Sequence, residues 1–230
     1  MESNRFPGLT GNQLKLIALI TMTIDHIGMM LFPRVRVLRA IGRIAFPIFA
    51  FMIAEGCRYT RNRRKYLLSM VSLAAICQVV YYFAMDSLHM SVLVTFSLSI
   101  GLIYLLDRYD PQQRGSQLGF FLGLCGVFFL CYIAHDVLFP KSDFGIEYGL
   151  WGVLLPVFTY FGSKKQKALP YFAAGLALLN LTWGGIQLYS LAAIPLIALY
   201  NGKRGKRKMK YLFYIYYPAH LVAIYFLSLL

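Results

Sequence analysis

The stretch that most constrains this chain runs from Leu14 to Phe32, LKLIALITMTIDHIGMMLF. It is long enough to cross a bilayer, because about 20 apolar residues at about 1.5 Å of rise each span the hydrocarbon core. It also contains two adjacent ionisable residues, Asp25 and His26. Ionisable side chains at membrane depth are costly to insert and usually mark a proton, ion or substrate site. We therefore take His26 as the candidate chemical centre.

The composition indicates an integral membrane protein. Of the 230 residues, 59% are hydrophobic and only 14% are charged, and the mean hydropathy is +0.60. A soluble domain of this length is far less apolar. The apolar runs lack the period-2 alternation of barrel strands, so helices must satisfy the backbone groups in the membrane. The sequence predicts an all-α, polytopic transmembrane helical bundle that forms a single domain over residues 1–230.

About nine spans are expected, several of them short. Their approximate ranges are 14–32, 38–57, 67–85, 91–106, 118–138, 148–161, 169–183, 188–200 and 211–230. The N-terminal segment has no basic region followed by a short apolar core and a cleavage site, so we expect the first helix to be retained.

The basic residues predict the orientation. With a cytoplasmic N-terminus, 18 of the 23 Lys and Arg residues fall in inner segments and four in outer loops. Cytoplasmic loops carry this excess in multi-pass proteins, so we predict a multi-pass protein of the bacterial inner membrane. Topology and anionic membrane lipid account for the net charge of +14, and no nucleic-acid partner is expected. The outer cluster Arg34, Arg36 and Arg39 lies on the side that this rule depletes, and an anionic ligand would explain it.

A second histidine lies at a depth similar to that of His26. His26 is eleven residues, about 16 Å, from Lys15, and His220 is nine residues, about 14 Å, into the last span. A neutral imidazole can accept a proton from an attacking hydroxyl or amine. Neighbouring residues on a helix point about 100° apart, so Asp25 is free to pair with Arg43 instead of His26.

Several of these residues also have a purely structural interpretation. His26 and His220 would then belong to a buried polar cluster that ties helices together. Glu55 would simply pair with Arg58 or Tyr59 at the membrane interface. The four cysteines form no CxxC pair, and we predict no metal site.

The ordered motifs resemble one family, TraX. They are ITMTIDHIGMMLFP, LRAIGRIAFPIFAFMIAEGCRYTRNRRKYL, VLVTFSLSIGL, IEYGLWGVLLP and YNGKRGKRKMKYLFYIYYPAHL. The resemblance runs from about Leu14 to Leu221. It implies N-terminal acetylation of a conjugative pilin from acetyl-CoA. It also implies a relation to the membrane acyltransferase superfamily, whose first helix carries a basic residue, ten residues and then histidine. Lys15 and His26 have that spacing.

The resemblance implies roles for these residues. His26 would be the catalytic histidine, Lys15 would lie near the coenzyme A phosphates, and Arg39 or Arg43 would be the arginine group of the second helix. Our predicted catalytic set is His26, Asp25, Arg43 and His220, with His26 as general base and Arg43 or a polar neighbour stabilising the oxyanion. Our predicted donor-binding set is Lys15, Arg39, Glu55 and Arg58.

Three functions stay open at this point. The first is an acetyl-CoA-dependent N- or O-acyltransferase acting on an exported peptide, a pilin or an envelope glycan. The second is a proton-coupled transporter, for which intramembrane Asp, His and Arg are equally expected. The third is a non-catalytic membrane assembly subunit that uses the polar residues for packing.

Overall fold

A computed structural model describes residues 8–206 and 210–228, and helices dominate that part of the chain. The helices are α1 (Gly11–Met30), α2 (Arg36–Gly42), α3 (Ala45–Tyr59), α4 (Arg63–Met85), α5 (Val92–Arg108), α6 (Arg114–Tyr132), α7 (Ala134–Leu138), α8 (Gly149–Lys164), α9 (Ala168–Trp183), a 3-10 helix (Gly185–Ala192), α10 (Ala193–Ala198) and α11 (Lys210–Ser228). Two strands of two residues each, β1 (His89–Met90) and β2 (Gly145–Ile146), pair in parallel. The prediction of an all-α fold is confirmed.

The described residues form two compact units. The first contains the described residues up to Met52 and those from Asn180 onward, and the second contains Ile53–Leu179. The unit boundary falls within α3 and within α9. The expectation of one domain over residues 1–230 stays a prediction.

In the first unit, α1 begins at a well-satisfied N-terminus. Thr10 is the N-cap residue, and its side chain and that of Gln13 form a capping box. The next two amide groups, those of Gly11 and Asn12, donate to the carbonyls of Lys203 and Arg204 at 2.8 and 3.0 Å. The loop before α11 therefore closes the start of α1.

Further along, α1 packs closely against α2, and two glycines make that approach possible. A Cβ atom on Gly28 would lie 2.6 Å from Cβ of Leu38, and a Cβ atom on Gly42 would overlap the side chain of Asp25. Small residues at such positions allow helix backbones to approach within a membrane. The close contact between α1 and α2 thus depends on glycine, which has no side chain, at positions 28 and 42.

The second unit has polar contacts near opposite ends of α5. At its C-terminal end, the Asp107 carboxylate accepts from Arg63, Lys164 and the Tyr160 hydroxyl. Before its N-terminus, the β1–β2 pair joins His89 to Gly145. These contacts link the loops at each end and leave apolar helix surface between them.

Three helical stretches of the described chain are long and apolar enough to cross a membrane, namely Arg36–Tyr59, Arg63–Phe83 and Arg114–Tyr132. Shorter apolar helices cover Ala168–Trp183, Gly185–Ala198 and Ile215–Ser228. α1 is 20 residues long but is not one of the three long stretches, because Lys15, Asp25 and His26 lower its mean hydropathy. The predicted eighth span begins in the 3-10 helix and continues as α10. The count of nine spans and the orientation of the N-terminus stay predictions.

Candidate functional site

A buried carboxylate of α1 holds two arginines of the second helix. Nη1 of Arg39 donates to Oδ2 of Asp25 at 2.6 Å, and Nη2 of Arg43 donates to Oδ1 and Oδ2 at 2.7 and 2.6 Å. The side chains of Asp25 and Arg43 are only 13% and 12% exposed. The expected pairing of Asp25 with Arg43 is therefore present, and Arg39 joins it.

The local sequence explains this arrangement. Arg39 and Arg43 are four residues apart, so they lie on one face at the end of α2. Gly42 lies directly against Asp25 and supplies no Cβ, which leaves room for the carboxylate. Two guanidinium groups and one carboxylate carry a net charge of +1. These three side chains lie in an apolar setting, where electrostatic interactions act strongly.

The two predicted histidines meet on α1 and α11. Nδ1 of His26 lies 2.9 Å from the Met22 carbonyl and 3.4 Å from Nε2 of His220. Nδ1 of His220 lies 2.9 Å from the Tyr216 carbonyl. A carbonyl oxygen only accepts, so both Nδ1 atoms carry hydrogen in the neutral rings. His26 therefore donates from Nδ1, and the lone pair of its Nε2 makes no hydrogen bond to any described residue.

Aromatic contacts fix the second ring. His220 is buried, stacks on the Tyr216 ring at a centroid distance of 5.2 Å and meets the Tyr217 ring edge-on at 5.6 Å. The Tyr216 hydroxyl lies 2.6 Å from the Thr23 hydroxyl, which itself donates to the Leu19 carbonyl. Tyr216 therefore donates to Thr23. The same stretch of α11 both docks on α1 and orients His220.

Lys15 lies near the other end of α1. Eleven residues separate it from His26, which is about three helical turns, so both lie on one face about 16 Å apart. Lys15 is partly buried, and the charge of Arg204 acts on it. The start of α1 is thus cationic, whereas its second half carries the histidine and the carboxylate.

The remaining predicted residues lie elsewhere. Glu55 and Arg58 belong to the second unit and approach each other to 3.8 Å, which is the ion pair expected from the structural interpretation. Their role in donor binding stays a prediction. Arg34 and Arg36 are exposed, whereas Arg39 is bound to Asp25, so the predicted outer arginine cluster is divided.

Sequence reasoning missed four contributors to this site. They are Gly42, the Met22 carbonyl, Thr23 and Tyr216. A glycine between two intramembrane arginines was a usable signal for Gly42. The Met22 carbonyl left no signal, because any residue at that position supplies it. Within residues 8–206 and 210–228, no group of three or more His, Cys, Asp or Glu residues is arranged to hold a metal ion.

These features define a class: a helical membrane protein whose polar residues converge as a histidine pair beside an arginine–aspartate cluster. The chain belongs to the TraX protein family, whose model matches residues 10–228. The resemblance described above is therefore confirmed at the level of the family.

Two curated proteins are similar to the chain. One is the probable fimbrial assembly protein FimC, serogroup H1, of Dichelobacter nodosus, which is 28% identical over 92% of this chain and 93% of its own length. The other is an uncharacterized protein of Rickettsia prowazekii (strain Madrid E), which is 32% identical over 68% of this chain and 57% of its own length. No solved structure matches the chain.

Proposed function

We propose that the protein is a membrane acyltransferase that moves an acetyl group from acetyl-CoA to an amine or hydroxyl of a pilin, another exported peptide or an envelope glycan. The observation that carries the proposal is the His26 ring. Its Nδ1–H is fixed by the Met22 carbonyl and by Nε2 of His220. The other nitrogen of the His26 ring, Nε2, therefore offers a lone pair. A neutral, oriented imidazole is the usual general base in proteins.

Nε2 of His26 takes the proton of the acceptor amine or hydroxyl while the acceptor heteroatom bonds to the acetyl carbonyl carbon. The carbon–sulfur bond breaks, and the imidazolium returns the proton to the departing sulfur, which leaves as a thiol. His220 and the Met22 carbonyl both accept from Nδ1–H, so they stabilise the positive charge that His26 carries between these transfers.

Arg39 and Arg43 have an electrostatic role in this proposal. Both cations and the Asp25 carboxylate act electrostatically on His26. The two guanidinium groups favour the negative charge that develops on the acetyl oxygen during transfer. Asp25 holds both guanidinium groups in position and does not itself orient His26, since its two oxygens are bound to the arginines.

The residues present fit the acyl donor. Acetyl-CoA supplies a thioester already activated for transfer and several phosphate charges. Lys15 would bind phosphate, and it shares a face of α1 with His26, so one elongated molecule can contact both. Lys15 is therefore the residue that we propose for binding the phosphates of the donor.

The test is thiol release from acetyl-CoA by the purified protein in detergent, with pilin-derived peptides as acceptors. We expect His26→Ala to lower the rate of thiol release at least about 100-fold, because general base catalysis contributes about 10²–10⁴-fold to the rate. His135→Ala is the matched control, since His135 is exposed and its ring bonds only to Asp136 and the Ser142 carbonyl among described residues. Equal rates for wild type and His26→Ala would exclude His26 as the base.

A non-catalytic role in pilus assembly is the second candidate. The name of the Dichelobacter relative favours it, and an intramembrane ion cluster such as that of Asp25 also suits a packing role. In cells that depend on this protein, a packing role predicts normal pilus display with His26→Ala and loss of display with Asp25→Asn. An acyltransferase predicts unacetylated product with His26→Ala, which mass spectrometry of the acceptor measures.

A further inference from the structure

We infer that Gln187, in the 3-10 helix beside α2, holds the acceptor by donating from its side-chain amide to the first peptide carbonyl of an exported peptide. The inference rests on the proposed function and adds to it a residue on the acceptor side. It makes Gln187 a specificity residue, which favours an amine that has a neighbouring carbonyl over a simple amine.

Gln187 carries a buried amide group that no described residue satisfies. The residue is 5% exposed, and its Nε2 atom makes no hydrogen bond to any described residue. The described part of the first unit contains no other side-chain nitrogen or oxygen atom that is buried in this way. Burying a donor without a partner is unfavourable, above all in an apolar setting. A bound group that accepts a hydrogen bond removes this penalty.

The 3-10 helix turns its polar residues inward. Gln187 and Ser190 are its buried residues, and residues three apart lie on one face of a 3-10 helix. Ser190 is satisfied, because Nδ2 of Asn180 donates to its hydroxyl oxygen at 3.0 Å. The large apolar side chains of the segment are exposed instead, namely those of Ile186, Leu188, Tyr189 and Leu191. Polar residues of a membrane segment face the protein interior, where they line substrate sites.

The turn before the 3-10 helix fixes the backbone at Gln187. Gly184 and Gly185 have φ values of +56° and +51°, which favour glycine. The Gly184 N–H donates to the Asn180 carbonyl at 2.8 Å, and the Gln187 N–H donates to the Gly184 carbonyl at 3.0 Å. The amide of Gln187 is therefore carried by a defined turn and not by a loose loop.

The 3-10 helix is connected to the candidate site through α2. It packs against α2 within the first unit. Arg39 of α2 and Arg43 at its C-cap both bind Asp25 of α1, and His26 follows Asp25 directly. Packed elements thus lead without a break from Gln187 to the helix that carries the proposed base.

The predicted topology places Gln187 where an exported acceptor arrives. Gln187 directly precedes the predicted eighth span, on the same predicted outer side as the start of α2. The amide is neutral, so it suits a neutral carbonyl, whereas the arginines beside it suit negative charge. The first carbonyl of a peptide lies next to the carbon that bears the terminal amine. One donor can therefore hold a peptide by this carbonyl while its amine faces His26.

The first experiment measures peptide binding and needs no turnover. A pilin-derived peptide is titrated, without acetyl-CoA, into the protein in neutral detergent. Gln187→Met removes the donor and keeps the length of the side chain. We expect it to weaken binding about tenfold, because one buried hydrogen bond is lost. Its melting temperature should equal or exceed that of wild type, since no hydrogen bond within the described protein is lost.

Ser190→Ala is the matched control. Ser190 shares the buried face of the 3-10 helix, and its hydroxyl bonds to Asn180. The change should lower the melting temperature and leave the peptide affinity within about twofold of wild type. A lowered melting temperature for Gln187→Met with unchanged affinity would assign Gln187 to packing and would overturn the inference.

The second experiment separates this inference from the proposed function. Thiol release is compared for the same peptide and for an analogue in which a methylene group replaces its first carbonyl. We expect Gln187→Met to raise the KM for the peptide about tenfold and to leave the KM for the analogue unchanged. Release that depends on His26 but shows the same KM in Gln187→Met would end the inference alone. Peptide binding that depends on Gln187, without any thiol release, would end the proposed acyltransferase and leave the peptide site.

Discussion

Gly42 leaves the space that the Asp25 carboxylate occupies in the arginine–aspartate cluster. A single methyl group at this position would overlap the Asp25 side chain. The carboxylate would have to leave the position in which it accepts three hydrogen bonds from Arg39 and Arg43.

We therefore expect Gly42→Ala to lower the free energy of unfolding by roughly 1–3 kcal/mol, which is typical of overpacking. Thermal unfolding in detergent measures this effect. Gly101→Ala is the control, because Gly101 also lies within a helix and a Cβ atom there would meet nothing within 4 Å. Alanine has the higher helix propensity, so the control should be as stable as wild type or more so. Two equally stable variants would refute the close contact at Gly42.

Removing the charge of Asp25 tests the ion cluster itself. Asp25→Asn leaves two guanidinium groups buried with one neutral partner, and breaking a buried ion pair in this way costs about 3–5 kcal/mol. The change should lower both the yield of folded protein and its melting temperature. His26→Ala should leave the melting temperature within a few degrees of wild type, because His26 is only half-buried. If Asp25→Asn melts like wild type, the carboxylate does not hold these arginines.

At the scale of elements, a hydroxyl pair contributes to the docking of α11 on α1 beside the His26–His220 contact. Tyr216 donates to Thr23 at 2.6 Å, one helical turn before His220. Tyr216→Phe and Thr23→Val should each destabilise the protein, and a double-mutant cycle should give a coupling of about 0.5–1.5 kcal/mol. If Tyr216 also positions His220, then Tyr216→Phe should lower kcat for thiol release more than it raises KM. Additive effects of the two changes would show that the hydroxyls do not interact.

The loop that precedes β2 should give the protein a measurable acid sensitivity. The Ser87 hydroxyl and the Leu88 N–H donate to the Asp143 carboxylate, and these hydrogen bonds hold the pKa of Asp143 below its ordinary value. A lowered pKa stabilises the folded state above the unfolded pKa, and that contribution is lost as the pH falls through the folded value. The stability advantage of wild type over Asp143→Asn should be constant near neutrality and should shrink below about pH 3.9. An advantage that is independent of pH would contradict this assignment.

The sequence predicted the positions of the helices better than it predicted the contacts between them. Apolar length located most helices, because hydrophobic runs and basic breaks are local properties of the chain. The 3-10 helix at Gly185–Ala192 was not predicted, since its apolar residues resemble those of an α-helical span. The meeting of His26 and His220 followed from similar depth alone. The geometry of Asp25 with Arg39 and Arg43 could not be predicted in this way. It depends on the absence of a side chain at Gly42, which is 17 residues away from Asp25 in the chain.

At the scale of the whole chain, several contacts within each unit join segments that are predicted on the same side of the membrane. Segments predicted inside contact one another: Leu9 pairs with Tyr200, and Asp107 binds Arg63 and Lys164. Segments predicted outside do the same, since Ser87 and Leu88 bind Asp143. An odd number of membrane crossings between such partners would prevent these contacts. The pairs therefore support the alternation of loops.

Labelling of engineered cysteines tests the orientation. In a background without the four native cysteines, Lys141→Cys should react with a membrane-impermeant maleimide in intact cells. Lys206→Cys should react only after permeabilisation, because basic loops are retained in the cytoplasm. The reverse pattern would invert the predicted topology, and labelling of both sites in intact cells would reject the alternation itself.

The two histidines are 194 residues apart in the chain, and this separation has a consequence for biosynthesis. During translation, α1 enters the membrane long before the ribosome has made α11. A nascent chain therefore carries the proposed base for most of its synthesis without the ring that orients it. Truncated products that lack α11 would occupy the membrane but hold an unpaired His26, so incomplete chains should be inactive even when they are stably inserted.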